Sequence, residues 1–598
     1  MTYRAPIKDM LFVMKELADI DAVSALPGHE EAGYETAAAV LEECARFNQE
    51  VVAPLNVEGD RNPSSFKDGK VTTTPGFKQA FRQFAEGGWQ GLQHPTQFGG
   101  QGLPKLIGAA CNEMVNSANL SFALCPLLTD GAIEALMTAG TPEQQATYIP
   151  KMVDGSWTGS MNLTEPQAGS DLSLVRTRAE PQPDGSYKLF GTKIFITYGE
   201  HDMADNIVHL VLARITGAPE GVKGISLFIC PKVLADGTRN DVHCVSIEHK
   251  LGIKASPTAV LAYGAQGGEG LDGPGAVGYL IGGENRGLET MFIMMNAARY
   301  AVGVQGIAVA ERAYQQAVSY ARDRVQSRPV DGSMNTSAPI IHHPDVRRML
   351  MTMRAHTEGC RATALVAAAA FDAAHAHPEA AVRQQNQAFY EFMVPLVKGL
   401  STEMSLEVAS LGVQVHGGMG FIEETGAAQH LRDAKILTIY EGTTAIQAND
   451  LVGRKTARDG GATARAIAGQ IEETEKALAA RESAACQTMA KRLAAARQAF
   501  VDVVAFVVSQ NKTDPNAVFA GSVPYLLLAG TTVAGWQMAR ALMVAEDRLA
   551  EGADVEFMLA KIASARFYGD HLLVKAASIR DSIVDGAQSA MAMPLEAF

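Results

Sequence analysis

The chain has 598 residues, too many for one hydrophobic core, so three or four domains are expected. Its apolar and charged fractions are those of an ordinary globular protein, and its net charge of −14 disfavours nucleic acid or an anionic membrane as a partner. The seven cysteines form no CxxC pair, which argues against a disulfide framework or a zinc site.

The N-terminal residues do not form a signal peptide, and no uninterrupted apolar run is long enough to span a bilayer. These features predict a cytoplasmic protein that binds no metal and does not insert stably into a membrane.

The predicted elements fall into four segments along the chain. Residues 1–155 are helical, with the 3.6-residue apolar period over 37–47 and 77–85. Residues 156–285 contain short β-branched runs and a hairpin-turn signal at 183–186, a pattern typical of an antiparallel barrel or sandwich. The runs lie at 193–197, 207–212, 224–229 and 242–247.

Helical periodicity returns over residues 286–460, and Ala-rich helices are predicted over 461–598, with a loop near 510–515. Strands and helices do not alternate, and no GxGxxG motif opens a helix, which argues against a doubly wound sheet. The order of helical, β, helical and helical segments predicts an α+β fold that is mainly α.

Glu441 is the most informative residue for function. It follows the apolar run Leu437–Tyr440 and precedes a glycine-threonine turn. Poor solvation raises the pKa of a carboxyl group in apolar surroundings, which makes it a usable base near neutral pH. A buried glutamate with a structural role is the alternative.

Two further stretches have the chemistry of a flat-ligand site. Residues 161–171 (MNLTEPQAGSD) predict a turn whose hydroxyls and N–H groups could hold a heteroaromatic ring edge or a phosphate. In residues 193–199 (KIFITYG), Phe195 and Thr197 are two apart in a strand and therefore predicted on one face. The alternatives are a helix-capping loop, with Ser170 or Asp171 as N-cap, and an ordinary buried strand.

The consecutive glycines of residues 414–421 (QVHGGMGF) would let the backbone approach a ligand closely, and a helix C-cap is the alternative. Arg299 and Arg324 are 25 residues apart in one helical run, 296–328, which predicts that they share a face and could bind phosphates. Solvated surface arginines are the alternative.

Taken together and in this order, these stretches resemble the acyl-CoA dehydrogenase family. The matching motifs are TEP and AGSD at 164–171, KIFITYG at 193–199, QVHGGMG at 414–420, RDA at 432–434 and IYEGT at 439–443. The resemblance covers about residues 40–455. It implies that family's fold, in which an N-terminal helical domain, a central antiparallel β domain and a helical bundle follow one another.

The resemblance also implies roles for individual residues. FAD is the implied cofactor, and the residues matched to its binding are Met161, Leu163, Thr164, Phe195, Thr197, Arg324, Gln414, Gly418 and Thr443. Ser170, Arg299 and Gly442 match positions near the CoA thioester, and Glu441 matches the family's catalytic base. Departures from the family pattern include Met161, His343 and Ala445.

The additional helical segment 461–598 resembles a longer bacterial branch of the family that includes 3-methylmercaptopropionyl-CoA dehydrogenases and broad-range fatty acyl-CoA dehydrogenases. This branch implies a homodimer rather than a tetramer. The implied reaction is oxidation of an acyl-CoA to the trans-2-enoyl-CoA, with electrons passed to an electron-transfer flavoprotein. The acyl group could be 3-methylthiopropanoyl or a medium or long fatty chain, because a thioether and a short alkyl chain are alike in size and polarity.

Two other functions share this fold and stay open. An acyl-CoA oxidase differs only in letting oxygen reach the reduced flavin. A DNA-associated flavoprotein needs a basic C-terminal domain, whereas residues 461–598 carry 13 Lys and Arg against 15 Asp and Glu.

Overall fold

The computed structural model describes residues 3–267, 270–271 and 273–598. The chain divides into two compact units, neither of which is continuous in sequence. The bundle unit contains residues 1–46, 104–117 and 299–598, and the sheet unit contains residues 47–103 and 118–298. The division into four domains, with boundaries at 155/156, 285/286 and 460/461, stays a prediction.

The described residues form helices α1 to α19 in chain order. The first nine are Ile7–Glu16, Ile20–Ser24, Tyr34–Phe47, Leu55–Arg61, Phe77–Glu86, Lys105–Ala118, Leu120–Ala139, Pro142–Val153 and Gly287–Asp323. The others are Pro344–Ala376, Ala380–His416, Ala427–Lys435, Thr444–Asp450, Ala462–Ala479, Ala484–Gln510, Pro515–Ala520, Ser522–Ala550, Val555–Phe567 and Ala576–Val584. The predicted loop near 510–515 is confirmed between α15 and α16.

The described residues form strands β1 to β10, all of which lie in the sheet unit. They are Ser65–Lys67, Lys70–Thr72, Trp157–Asn162, Arg178–Pro181, Tyr187–Thr197, Asn206–Ile215, Ser226–Pro231, Val242–Ile247, Thr258–Tyr263 and Ala276–Ile281. The four predicted strands are confirmed as β5 to β8, and β4 and β5 form the hairpin predicted at 183–186. The hairpin β1–β2 lies in a segment that was predicted as helical.

The large sheet has the strand order β10-β7-β6-β4-β5-β9-β8, with β3 beside β6. Most neighbours are antiparallel, as predicted, but β3–β6 and β4–β6 are parallel. Nearly all side chains of β6 are buried, because Leu210 packs into one core cluster and Val211, on the opposite face, packs into another.

Helix α7 holds β3 in place within the sheet unit. Gly159 of β3 lies so close to this helix that an added Cβ would come within 2.5 Å of the Ala132 Cβ. The Thr129 hydroxyl accepts a hydrogen bond from the Gly159 N–H at 3.0 Å. This close packing fixes the end of β3, where residues 161–164 lie.

The core of the bundle unit contains a cluster of buried charges. The Arg361 guanidinium donates to Asp9 at 2.7 Å, Glu113 at 2.6 Å and Glu311 at 2.7 Å. The Lys561 ammonium donates to Asp9 at 2.6 Å. One arginine thus joins helices α1, α6, α9 and α10, and Lys561 adds α18 to the cluster. We refer to these five residues as the Arg361 cluster.

In the described part of the chain, three helices are long and apolar enough to cross a membrane, by length and composition alone: α7, α9 and α15. The sequence-based prediction, which required an uninterrupted apolar run, did not identify them. The apolar window of α7 is 78% buried within the protein and that of α15 is 39% buried. All seven cysteines are free and buried.

Candidate active site

Glu441 lies in a tight turn of the bundle unit between α12 and α13. Its φ is +53°, and Gly442 follows with a φ of +84°. A left-handed conformation is unfavourable for a residue with a side chain, so two such residues in succession must be held by their surroundings. A Cβ on Gly442 would lie 2.8 Å from the Gln447 Nε2, so glycine is the residue that fits here.

Lys398 of α11 holds this turn from within the bundle unit. Its side chain is fully buried, and its Nζ donates to the Leu437 carbonyl at 2.8 Å and the Gly442 carbonyl at 2.7 Å. The two carbonyls flank Glu441 in the sequence. Lys398 therefore fixes the backbone on both sides of Glu441.

The predicted rise in the pKa of Glu441 is confirmed. Burial raises the pKa of its carboxyl group to about 7, although the positive charges of Lys398 and Arg299 act in the opposite direction. Within the part of the chain that the structure describes, neither the Glu441 carboxylate nor its N–H makes a hydrogen bond. Both groups are therefore free to act on a ligand.

Arg299 is buried in the bundle unit and has unused hydrogen-bonding capacity. Its side chain is 6% exposed, its Nη1 lies 4.0 Å from an Asp450 carboxylate oxygen, and its Nε has no partner among the described residues. Burial lowers the pKa of the guanidinium. The Arg299 Nε, a buried donor near Glu441, is therefore suited to bind a polar group of a ligand.

Lys398 leads to a prediction about pH dependence. Substitution Lys398→Met removes a cation that lowers the pKa of Glu441, so that pKa should rise. A base must be deprotonated to act, so kcat/KM should increase with pH through about 7 in the wild type and through a higher pH in the variant. The pH profile of kcat/KM measures this shift.

Lys455→Met is the matched control, because it removes one positive charge at the Glu391 pair and Lys455 does not act on Glu441. Its pH profile should coincide with the wild type. If the Lys398→Met profile also coincides with the wild type, Lys398 does not tune the base.

In the sheet unit, a buried ion pair joins the two motifs that match the flavin site. The Lys193 Nζ contacts Glu165 at 2.8 Å and also donates to the Leu163 carbonyl at 2.9 Å. Glu165 accepts hydrogen bonds from the Thr177 N–H and hydroxyl as well, and the pKa of its carboxyl group is lowered to about 2. The pair is therefore ionised, and it fixes the turn that carries Leu163 and Thr164.

Thr164 is half-buried and presents free polar groups. Its carbonyl accepts a hydrogen bond from the Ile194 N–H at 2.9 Å, whereas its own N–H and hydroxyl have no partner among the described residues. Met161, by contrast, packs into the apolar core with 7% exposure, so only its peptide group could touch a ligand.

The prediction that Phe195 and Thr197 share a strand face rested on regular alternation, which the structure does not show. A β-bulge lies between Lys193 and Ile196, and Phe195 has a φ of +59°. A bulge adds one residue to a strand and redirects its side chains. Phe195 is 60% exposed as a result.

The capping alternatives weighed for two motifs are also realised. Asp171 is the N-cap of a short helical turn and accepts a hydrogen bond from the Ser173 N–H at 2.9 Å, and Ser170 is exposed beside it. Thr443 caps α13 through the Ile446 N–H. Helix α11 ends at His416 before the left-handed Gly417.

Arg324, Gln414 and Gly418 lie together at one end of the bundle unit, all exposed. The rings of Tyr320 and His416 stack with centroids 4.3 Å apart, which joins the last turn of α9 to the end of α11. The Arg324 N–H donates to the Tyr320 carbonyl, and Gln414 and Gly418 are each two residues from His416.

The prediction of one helical run over 296–328, which placed Arg299 and Arg324 in the same helix, is wrong at its C-terminal end. Helix α9 ends at Asp323, and the chain from Arg324 pairs with residues near Pro339 through backbone hydrogen bonds. These bonds compete with continuation of the helix. Arg299 is buried and acts on Glu441 by its charge, whereas Arg324 is exposed beyond the end of the helix.

Three charged residues of these sites had no role assigned from the sequence: Lys398, which lies outside the matched motifs, and Lys193 and Glu165, which lie within them. Each is a charged residue in an apolar stretch or next to a strand, and that was the available signal. Among the described residues, no group of three or more His, Cys, Asp or Glu is placed to hold a metal ion.

Four family models match the chain. They are the N-terminal, middle and C-terminal domains of acyl-CoA dehydrogenase, over residues 34–156, 160–263 and 285–455, and the acetyl-CoA dehydrogenase C-terminal-like domain over 467–594. Together they cover most of the chain, including the additional C-terminal helical segment.

Curated relatives match the full length. The 3-methylmercaptopropionyl-CoA dehydrogenase of Ruegeria pomeroyi is 54% identical over 100% of both chains. The broad-specificity linear acyl-CoA dehydrogenase FadE5 of Mycobacterium tuberculosis is 36% identical over 97% of both chains.

Solved structures confirm the predicted fold. The Caenorhabditis elegans ACDH-11 structure, in complex with C11-CoA, is 20% identical, has a TM-score of 0.76 and covers 95% of this chain and 91% of its own. The Bacillus anthracis acyl-CoA dehydrogenase complexed with FAD is 21% identical, has a TM-score of 0.73 and covers 96% and 91%. The chain therefore belongs to the acyl-CoA dehydrogenase family of flavin-dependent oxidoreductases.

Proposed function

We propose that the protein oxidises 3-methylthiopropanoyl-CoA to its trans-2-enoyl-CoA, with FAD as cofactor and Glu441 as the base that removes the α proton. The observation that carries the reaction type is the Glu441 turn. A carboxylate whose pKa is about 7 is held there without a hydrogen-bond partner among the described residues, beside its own free N–H.

The sheet unit offers groups that fit FAD. The unpaired N–H and hydroxyl of Thr164 could bond the edge of the flavin ring, and the exposed Phe195 offers an apolar surface for it. The Lys193–Glu165 ion pair holds the turn that carries Thr164. When bound, FAD would supply the two-electron oxidation by accepting the hydride from the β carbon.

The chain's own groups supply the rest of the chemistry. The Glu441 carboxylate takes the α proton, which is acidified by the neighbouring thioester carbonyl. The Glu441 N–H, which has no partner among the described residues, would donate to that carbonyl oxygen, where negative charge develops. The buried Arg299 adds a positive charge to the site and lowers the pKa of the base.

The choice of acyl group is supported by the Ruegeria pomeroyi relative, which shares 54% of its residues with this chain over the whole length of both. The next relative, at 36% identity, is named for broad specificity toward linear acyl-CoA substrates. A thioether sulfur replaces a methylene with little change in size. Acyl chains that differ in length by one methylene are expected to differ by about 10- to 200-fold in kcat/KM.

The test is a panel of 3-methylthiopropanoyl-, butanoyl-, octanoyl- and palmitoyl-CoA, assayed with a dye as electron acceptor. The proposal expects the highest kcat/KM for 3-methylthiopropanoyl-CoA, and a higher value for any of the other three thioesters would overturn it. Hydrogen peroxide formed at the same rate without the dye would identify an oxidase instead. A shift of labelled DNA in a gel would support the DNA-associated alternative.

We also propose an electron-transfer flavoprotein as the physiological acceptor, a homodimer as the assembly and the cytoplasm as the location. A structure from an Acidaminococcus fermentans study of electron-transferring flavoprotein is 25% identical, with a TM-score of 0.57, and supports the proposed electron acceptor. The proposed homodimer is supported by exposed apolar side chains next to the Gly418 turn, which suit a subunit contact: Met419, Phe421 and Ile422. Light scattering of the purified protein measures its mass.

A further inference from the structure

The bundle unit contains a cleft of about 590 Å³ that shares no residue with the Glu441 turn. Its walls come from the segment 17–26 and from helices α10, α11, α14 and α17. Leu17, Val23, Val366, Phe389 and Trp536 make much of the lining apolar. The volume falls in the range of sites that bind small molecules.

Arg540 is the charged group of interest in this cleft. Its guanidinium donates to the Gln537 side chain at 2.7 Å and the Leu17 carbonyl at 2.8 Å, and it lies 5.9 Å from the Trp536 ring centroid. No carboxylate of a described residue forms an ion pair with it. Burial lowers its pKa, and no acid offsets that effect.

Arg548, two turns further along the same helix, differs from Arg540 in having carboxylate partners, as most arginines do. It pairs with Glu16 at 2.9 Å and with Glu551 at 3.0 Å. A half-buried arginine with unused donors, set beside an aromatic ring in an apolar cleft, has the features of a site for a carboxylate. A carboxylate can take two parallel hydrogen bonds from a guanidinium.

We propose that this cleft binds a monocarboxylic acid with an unbranched apolar chain, its carboxylate on Arg540 and its chain along the apolar walls. A single negative charge fits better than a dianion, because Asp19 also lines the cleft. The Asp19 carboxylate accepts a hydrogen bond from the Ala22 N–H at 3.1 Å. Nucleotides and phosphorylated ligands are disfavoured for the same reason.

The site is independent of the dehydrogenase chemistry. The free acids that correspond to acyl-CoA substrates belong to the proposed class of ligand. Trp536 gives the site its own spectroscopic signal, because the chain has only three tryptophans and Trp157 and Trp89 lie outside the cleft.

The experiment is a titration of the FAD-loaded enzyme with 8-bromooctanoate, followed by quenching of tryptophan fluorescence by the bromine. Saturating trans-2-octenoyl-CoA is present throughout, so that the acyl-CoA site is filled. Saturable quenching is expected, and it should be lost in Trp536→Phe and kept in Trp157→Phe. Arg540→Gln should weaken binding about tenfold or more, because a charge-assisted hydrogen bond is lost.

Arg548→Gln is the matched control, since it removes the same charge from the same helix and should leave the affinity unchanged. Equal weakening by both variants would overturn the proposal, as would equal affinity for 8-bromooctan-1-ol, which lacks the carboxylate. Absence of saturable quenching in the wild type would also overturn it. A change in mass of Arg540→Gln by light scattering would show that the cleft is a subunit contact instead.

Discussion

Turnover of acyl-CoA should fall by about 100- to 10,000-fold in Glu441→Gln, which is the usual contribution of a general base. The amide has nearly the shape of the carboxyl group but cannot accept the α proton. The residues matched to flavin binding are unchanged, so the variant should purify with its FAD and its yellow colour. Steady-state kinetics with a dye acceptor measure the loss.

Glu424→Gln is the matched control, because Glu424 is an exposed glutamate of the same unit. Its activity should equal that of the wild type. If Glu441→Gln retains activity within a factor of two or so of the control, another group must remove the proton, since a general base is worth far more than that.

The second large effect concerns stability and the Arg361 cluster. Arg361→Met leaves the carboxylates of Asp9, Glu113 and Glu311 buried without their shared cation. Removing one partner of a buried ion pair costs about 3–5 kcal/mol, because the charges that remain are poorly solvated. The temperature of thermal unfolding should fall markedly, as circular dichroism would show.

Arg348→Met provides the comparison on the same helix, α10. Arg348 is half-exposed and pairs with Asp345 at 2.8 Å. An exposed pair contributes at most about 1 kcal/mol, so this variant should unfold close to the wild-type temperature. If the two variants unfold at the same temperature, the Arg361 cluster does not hold the five helices together.

Most of the fold could be predicted from local patterns in the sequence. The apolar runs that became β5 to β8 have β-branched residues between turn signals, and the break at residues 510–515 follows from local composition. Strand β3 was not recognised as a separate strand, because WTGSMN is mixed in polarity and has no β-branched apolar run, although nearly all of it is buried. The parallel pairings of β6 depend on tertiary contacts that no local signal indicates.

The candidate site could be predicted only in part. Glu441 was recognisable from its neighbours, and its raised pKa follows from burial. Lys398 lies 43 residues earlier, and Lys193 is 28 residues from Glu165, so these pairings are visible only in three dimensions. Sequence periodicity could not predict the bulge at Phe195 or the end of α9 at Asp323. Both are set by backbone hydrogen bonds to residues distant in the sequence.

The most direct test of the central claim is rapid anaerobic mixing with 3-methylthiopropanoyl-CoA deuterated at the α carbon, monitored by the absorbance of the bound flavin. The wild type should lose its oxidised flavin absorbance, more slowly with the deuterated than with the protiated substrate. Glu441→Gln should bind the same substrate and keep its oxidised spectrum on that timescale. Equal rates of flavin reduction in the two proteins would show that Glu441 is not the base.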